Sequence, residues 1–380
     1  MQQNHFKGAF KMDKMEKTQE INRLYTIAKQ SCVVCNSCRY CEGFCAVFPA
    51  MEQRRDFDVR DIDYLANLCH QCGECFYACQ YAPPHTFDVN IPAQLGDIRA
   101  LSYQKFAYPT WASRVFEKNG FFAFIALIVS IFVLFLLASA LHQGELFSLD
   151  FAGDFYQVIP YGLMVGVFSV VGIFVLCALG VGFVRFLIYI TPNESITFPA
   201  LTQGLFDAFS LKYLGGHDND GCTYPKDRRS NIRKIFHHFT FYGFLACFVA
   251  TSLGAFYAHC LHLRAPYDFL SLPKLFGTFG GISLCVGTLG LFVLKIIADK
   301  TPKSLKTLGM DYAFIFGLFI AALSGLVLML LRDSQALALL VVFHLSVVLA
   351  LFVMMPYGKF IHGFYRLGAL ILYALESKKA

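Results

Sequence analysis

From residue 120 onward the chain repeats one pattern. Six runs with little or no charge, 121–141, 158–184, 239–261, 275–294, 312–331 and 336–358, alternate with short polar connections. Each run is close to the roughly 20 residues that a helix rising about 1.5 Å per residue needs to cross about 30 Å of hydrocarbon. The pattern therefore predicts six transmembrane helices. Before residue 120 the writing changes. The first thirty residues are polar and charged, without the apolar stretch of a cleavable signal peptide. Between the cysteine-rich segments, Asp58 or Asp61 is placed to cap a short helix carrying Ile62, Leu65 and Leu68 on one face.

Charge sets an expected orientation. The connections 185–234, 295–311 and 359–380 hold seven, four and four Lys or Arg, whereas 142–157, 262–274 and 332–335 hold none, two and one. By the positive-inside rule both termini belong on the cytoplasmic side. The net charge of +6 is accounted for by this asymmetry and calls for no nucleic acid.

Nine of the fourteen cysteines fall between residues 32 and 79. Cys35, Cys38, Cys41 and Cys45, and again Cys69, Cys72, Cys75 and Cys79, read C-x2-C-x2-C-x3-C, the run that ligates [4Fe–4S] clusters in two-cluster ferredoxins. In that scheme the fourth cysteine of each run crosses to the other cluster. One cluster then takes Cys35, Cys38, Cys41 and Cys79, and the second takes Cys69, Cys72, Cys75 and Cys45. A zinc ribbon needs only paired C-x2-C steps, and a disulfide framework needs an oxidising compartment, so neither matches. Cys45 and Cys79 lack the directly following proline of the ferredoxin pattern; Pro49 and Pro83–Pro84 come four or five residues later. Cys32 reads as a bystander rather than as a register-shifted ligand. Cys177, Cys247 and Cys285 read as small packing residues of the membrane part.

Ionisable residues within spans are functional candidates by default. His237 and His238 open the third span, His259 and His262 lie at its far end, His344 is inside the sixth and His362 just beyond it. His344 and His362 are 18 residues apart, five turns, and share a face if the helix is continuous, about 27 Å apart along its axis. Two b-type haems, or one, would then be clamped between antiparallel spans, the inner by His238 and His362 and the outer by His259 and His344. Of the adjacent His237 and His238 only one can face a given haem. Lys359, Arg366, Asp311 and Lys295 are candidates for contacting a quinone or a haem propionate. His142 and His217 read as loop residues. Residues 1–120 hold five glycines and no dinucleotide or phosphate fingerprint, so electrons must come from a separate dehydrogenase.

The stretches LANLCHQCGECFYACQYAPPH (65–85), RRSNIRKIFHHFTFYGFLACF (228–248), APYDFLSLPKLFGTFGG (265–281), GMDYAFIFGLFIAALSGL (309–326) and HLSVVLALFVMMPYGKFIHGFYR (344–366) resemble the tricarballylate/citrate utilisation protein B family. Residues 1–30 lie outside the resemblance. It implies an all-α protein of the bacterial inner membrane: a cytoplasmic α-helical ferredoxin-like domain with two [4Fe–4S] clusters (about 1–110), then a six-span b-haem domain (111–380). It also implies a flavoprotein partner, an FAD-dependent tricarballylate dehydrogenase, whose electrons pass to the quinone pool. More distantly, the membrane part resembles the haem-bearing gamma subunit of respiratory nitrate reductase, which implies the same four-histidine ligation. Two rival readings use the same residues: a quinol-oxidising subunit feeding a cytoplasmic reductase, and a membrane redox sensor.

Overall fold

The computed structural model describes residues 2–146, 151, 153–192, 194–216, 221–263 and 265–378, with side chains from residue 15 onward; His217 lies outside them. A cysteine-bearing part holds α1 (Gln2–Cys38), α2 (Val47–Glu52), α3 (Val59–Leu68), α4 (Glu74–Tyr77) and α5 (Ile91–Phe106). Then come α6 (Asn119–Leu141), α7 (Phe155–Val158), α8 (Tyr161–Ile190) and α9 (Phe198–Phe209). A two-residue antiparallel hairpin, β1 (Cys222–Thr223) and β2 (Arg229–Ser230), leads into α10 (Ile232–Cys260). The remainder is α11 (Leu272–Ile297), α12 (Leu308–Leu330), α13 (Leu337–Met354) and α14 (Ile361–Glu376).

Among the described residues six helices are long and apolar enough to cross a membrane, beginning at Asn119, Tyr161, Ile232, Leu272, Leu308 and Leu337, so the chain is a multi-pass membrane protein. They match the six expected runs in position, and several extend past them because a helix continues once it has left hydrocarbon. Their outward faces carry large apolar side chains such as Phe132, Val170, Leu176 and Phe279, each more than half exposed. In water such a surface would be unstable; against lipid it needs no cover.

The sixth run departs from expectation. It is not one straight helix through His344 and His362. It ends at Met354, makes a 3-10 turn over Met355–Tyr357, passes through an extended Gly358 (φ −125°, ψ −166°) and restarts at Ile361. Pro356 supplies the reason: it lacks the amide the helix ladder requires and its ring crowds the preceding turn. The two histidines consequently sit on different helices, and the argument from an 18-residue phase does not apply.

Local capping in the cysteine part follows the sequence. The Asp58 carboxylate accepts from the Asp61 amide at 2.8 Å while Asp61 accepts from the Asp58 amide at 3.0 Å, a reciprocal capping box. Ile62, Leu65 and Leu68 of the helix so started are buried. The core they enter is continuous with the bundle: it runs from Tyr25, Ile62 and Tyr103 to Phe186 and Ile190 of α8, then to Tyr357 and Tyr365. Helix α14 closes this junction. Its Glu376 accepts from Arg54 Nη2 at 2.5 Å and from the Tyr64 hydroxyl at 3.1 Å.

Helices α10 and α11 make the closest pairing in the bundle. Glycine permits it: a Cβ on Gly287 would sit 2.5 Å from the Thr240 amide nitrogen, and one on Gly243 would sit 2.7 Å from that of Leu284. Gly287→Val is therefore expected to force the two backbones apart at a cost of about 1–3 kcal/mol, the usual size of overpacking. The check is thermal unfolding in detergent followed by helical circular dichroism, with a midpoint several degrees lower; an unchanged midpoint would contradict the close approach.

Candidate functional site: a cysteine centre joined to a histidine pair

The first cysteine run unwinds from the end of α1. Cys35 and Cys38 occupy its last turns, and Arg39 then takes a left-handed conformation (φ 56°) that bends the chain so that Cys41 follows within the same loop. In the second run Cys69 ends α3, and Cys72 stands between two left-handed residues, Gln71 (φ 53°) and Gly73 (φ 88°). Those reversals wrap the CHQCGEC segment into a tight cup. Cys35, Cys38, Cys41, Cys75 and Cys79 together line one cavity of about 270 Å³. Cys45 lies instead beside Cys72 and Cys69, and Cys75 neighbours the same three. Cys79 thus lies with the first three cysteines of the other run, and Cys45 lies near Cys69 and Cys72.

Both groups fit polynuclear iron. Burial pushes the Cys35, Cys41 and Cys72 thiols up to about 12 and raises those of Cys45 and Cys75 well above the ordinary value, nearby thiols adding to the effect. Left to themselves these sulfurs keep their protons; a bound metal displaces them. Among the described residues no three donors close on one point as a single ion demands. The first group surrounds a volume much larger than an ion. Cys32 is fully buried in α1 with Cys35 and Cys69 near it, on the packed side of the helix. Cys222 was not singled out from sequence: it is fully buried on β1 and packs against Cys72, and an isolated cysteine 150 residues downstream carries no signal of that proximity.

Two arginines from the bundle hold the second cup. Arg366 Nη2 donates to the Cys69 carbonyl at 2.5 Å and its Nη1 meets His70 Nδ1. Arg233 donates through Nη2 to the His70 carbonyl at 3.0 Å and through Nη1 to that of Gln71 at 3.2 Å. Arg99 of α5 adds a 2.6 Å bond to the Cys69 carbonyl. Three consecutive carbonyls of the cysteine loop are therefore held by guanidinium groups, whose planar forks suit such paired acceptors. The expectation that Arg366 contacts a quinone or a haem propionate is thus corrected: its fork is spent on the cysteine loop.

One helical turn away on each helix stands a histidine. Arg233 precedes His237 by four residues on α10, and Arg366 follows His362 by four on α14, so each pair shares a helix face. The His237 and His362 rings meet edge to face, with centroids 6.2 Å apart and planes at 72°. A neutral imidazole from each helix could hold a haem iron here, and these two residues are the ones that would do so. His362 Nδ1 donates to the Lys359 carbonyl at 2.5 Å, leaving Nε2 as the free lone pair, and this backbone contact orients the ring as a ligating histidine needs. His238, expected in this place from sequence, turns the other way and packs on Tyr242 at 5.7 Å. Adjacent residues differ by about 100° around a helix, and the face that meets α14 is that of His237.

His259 and His344 are brought to different neighbours. The Tyr161 hydroxyl lies 3.0 Å from His259 Nε2, while His344 Nδ1 lies 2.9 Å from Ser324 Oγ of α12. His142, expected in a loop, caps the end of α6 and lies 3.0 Å from the Val158 carbonyl. Asp311 ties two bundle lysines, with Lys295 Nζ at 2.5 Å and Lys359 Nζ at 2.8 Å.

Two family profiles cover nearly all of this architecture. The citrate utilization protein B Fer4-like domain matches residues 28–105 and citrate utilization protein B matches 120–380. Citrate utilization protein B of Escherichia coli is 43% identical over 347 residues, 91% of each chain. The chain belongs to the citrate utilization protein B family. The match assigns the cysteine domain to iron–sulfur electron transfer and joins it to the six-helix part in one protein. No solved structure matches.

Two outcomes test the site. Cys38→Ser and Cys72→Ser should each lower non-haem iron and acid-labile sulfide from about eight to about four atoms per chain, the content of one [4Fe–4S] cluster; loss of all non-haem iron in both would mean the groups are not separate. Arg366→Met removes hydrogen bonds from a charged group worth about 1.5–3 kcal/mol each. On gentle warming it should shed the cluster held by Cys69, Cys72, Cys75 and Cys45 first, seen as selective loss of one of two EPR signals. Equal loss of both would contradict the clamp.

Proposed function

We propose that this protein re-oxidises the reduced FAD of a partner dehydrogenase acting on tricarballylate or a related organic acid, and delivers the electrons to the membrane quinone pool. Cys35, Cys38, Cys41 and Cys79 would hold one [4Fe–4S] cluster and Cys69, Cys72, Cys75 and Cys45 a second, and His237 and His362 would hold a b-type haem; together these groups would supply one-electron carriers between the flavoprotein and the membrane. The name of the Escherichia coli relative favours a tricarboxylate as the organic acid. His259 and His344 are the ligands proposed for a second, outer haem. The Lys and Arg excess on alternate connections favours cytoplasmic termini in a bacterial inner membrane.

One observation carries the reading: the arginines that grip the second cysteine cup stand one helical turn from two histidines whose rings are 6.2 Å apart. A sensor that only reports its redox state gains nothing from such a bridge. The direction, flavin to quinone, rests on the missing nucleotide fingerprint, which leaves substrate oxidation to the partner.

The deciding experiment combines membranes containing this chain with a reduced flavoprotein dehydrogenase and a soluble quinone analogue. Flavoprotein-dependent reduction of the analogue is expected. His237→Ala should remove the share of the reduced b-type α-band that depends on His362 as well, about half where the outer haem is also bound, whereas His238→Ala should retain the full band. A band that survives in full in His237→Ala and falls in His238→Ala would overturn the inner assignment, and membranes that oxidise quinol but never reduce quinone would reverse the direction.

A further inference from the structure

The residue that orients His362 also lines a cleft on the lipid-facing side of the bundle. Helices α6, α12 and α13 leave between them a space of about 200 Å³ whose walls include Gly120, Ala123, Ala313, Gly317 and Ala350. Phe124 and Phe316, both exposed, stand in its lining where it meets the outside of the bundle. At its inner end are Lys359 and Phe360. The Lys359 side chain is only 18% exposed, and its ammonium is held by Asp311 at 2.8 Å, which is itself fixed by Lys295 at 2.5 Å. A cation placed at the head of an apolar slot in a membrane protein is costly unless it serves a ligand or a relay.

We propose that this cleft binds the quinone ring, with Lys359 Nζ donating a hydrogen bond to one ring carbonyl and the small residues of α6, α12 and α13 flanking the flat ring. The inference rests on the flavin-to-quinone reading above and gives it a site. Three observations select this occupant. The volume is below the roughly 300–1,000 Å³ of pockets that enclose a whole drug-sized ligand, and suits a single ring whose tail stays in lipid. The ammonium already has a carboxylate partner, so it offers a donor to a neutral carbonyl rather than an open site for an anionic headgroup. Finally, Lys359 lines the cleft while its carbonyl accepts from His362 Nδ1, so the cleft adjoins the proposed electron exit. The reaction balances as one quinone, two electrons and two protons giving one quinol. The electrons derive from the reduced flavin of the partner and the protons from water at the cluster-domain end, next to which the triad of Lys295, Asp311 and Lys359 lies. Lys359 is a binding residue here because it touches the ring.

The test uses the full-length holoprotein in lipid nanodiscs with a photoreactive azido-quinone, mapped by peptide mass spectrometry. Label is expected on peptides covering 119–127 or 313–320. Gly317→Leu, whose side chain would occupy the slot, should cut that label at least tenfold with iron content unchanged. Lys359→Met should raise the KM for the quinone analogue more than it lowers kcat. Wild-type protein that reduces quinone but carries its label on other helices overturns the site and leaves the flavin-to-quinone reading standing. Wild-type protein that takes no electrons to quinone at all overturns both. A phospholipid retained in the cleft and not displaced by quinone overturns the site as well.

Discussion

The grip of Arg233 and Arg366 on the carbonyls of residues 69–71 is the interaction on which the rest of the molecule depends. An iron–sulfur domain tethered by a flexible linker would visit the membrane at random, and electron transfer would wait for each visit. Here the same backbone segment that shapes the second cysteine cup is hydrogen-bonded to the first turn of α10 and the second turn of α14. Charged donors on backbone carbonyls are among the stronger hydrogen bonds available, and these are at least half-buried, where competition from water is low. The cup and the histidine pair are therefore joined through side chains of the same two helices.

That connection is reinforced from two directions. The hydrophobic core does not stop at the junction but passes from Ile62 and Tyr103 through Phe106 and Phe186 to Tyr365, with Phe186 and Tyr365 stacked at 4.8 Å. Asp63 sits fully buried at the same level, satisfied by the Tyr25 hydroxyl at 2.6 Å and by Lys105 at 2.8 Å. Removing one partner of a buried carboxylate leaves a charge with no compensation, so these bonds fix α1, α3 and α5 against each other more firmly than surface ion pairs do. A break at Pro356 and Gly358 serves the same end, because it lets α14 leave the line of α13 and lie across α3, α8 and α9.

Much of this was legible in the sequence, for local reasons. Cysteine ligands at fixed short offsets announce their chemistry without tertiary information, and the Asp58–Asp61 box is a four-residue pattern. The six spans follow from length and charge alone. What escaped was set by facing. Nothing in FHHF tells which imidazole turns toward α14, since both are equally spaced from their neighbours, and only the packing of α10 on α11 through Gly243 and Gly287 decides it. The arginines escaped because their acceptors are backbone carbonyls 162–297 residues away, which no side-chain pattern encodes. Even so, the i, i+4 spacing of Arg233 with His237 and of His362 with Arg366 was readable, and it appears in mirror order on the two helices.

That mirror order has a geometric cause. Helix α10 runs away from the cysteine domain into the bundle, whereas α14 runs from the bundle back toward it. For each helix to present an arginine to the cysteine loop and a histidine one turn deeper, the arginine must come first on α10 and second on α14. Arg233–His237 and His362–Arg366 satisfy this requirement, so the two layers, guanidinium above and imidazole below, sit at matched depth. The asymmetry that remains lies in what fixes each ring. His362 is held through Nδ1 by the Lys359 carbonyl, while His237 Nδ1 is buried without a partner among the described residues. The α14 side thus presents an imidazole already turned with Nε2 outward.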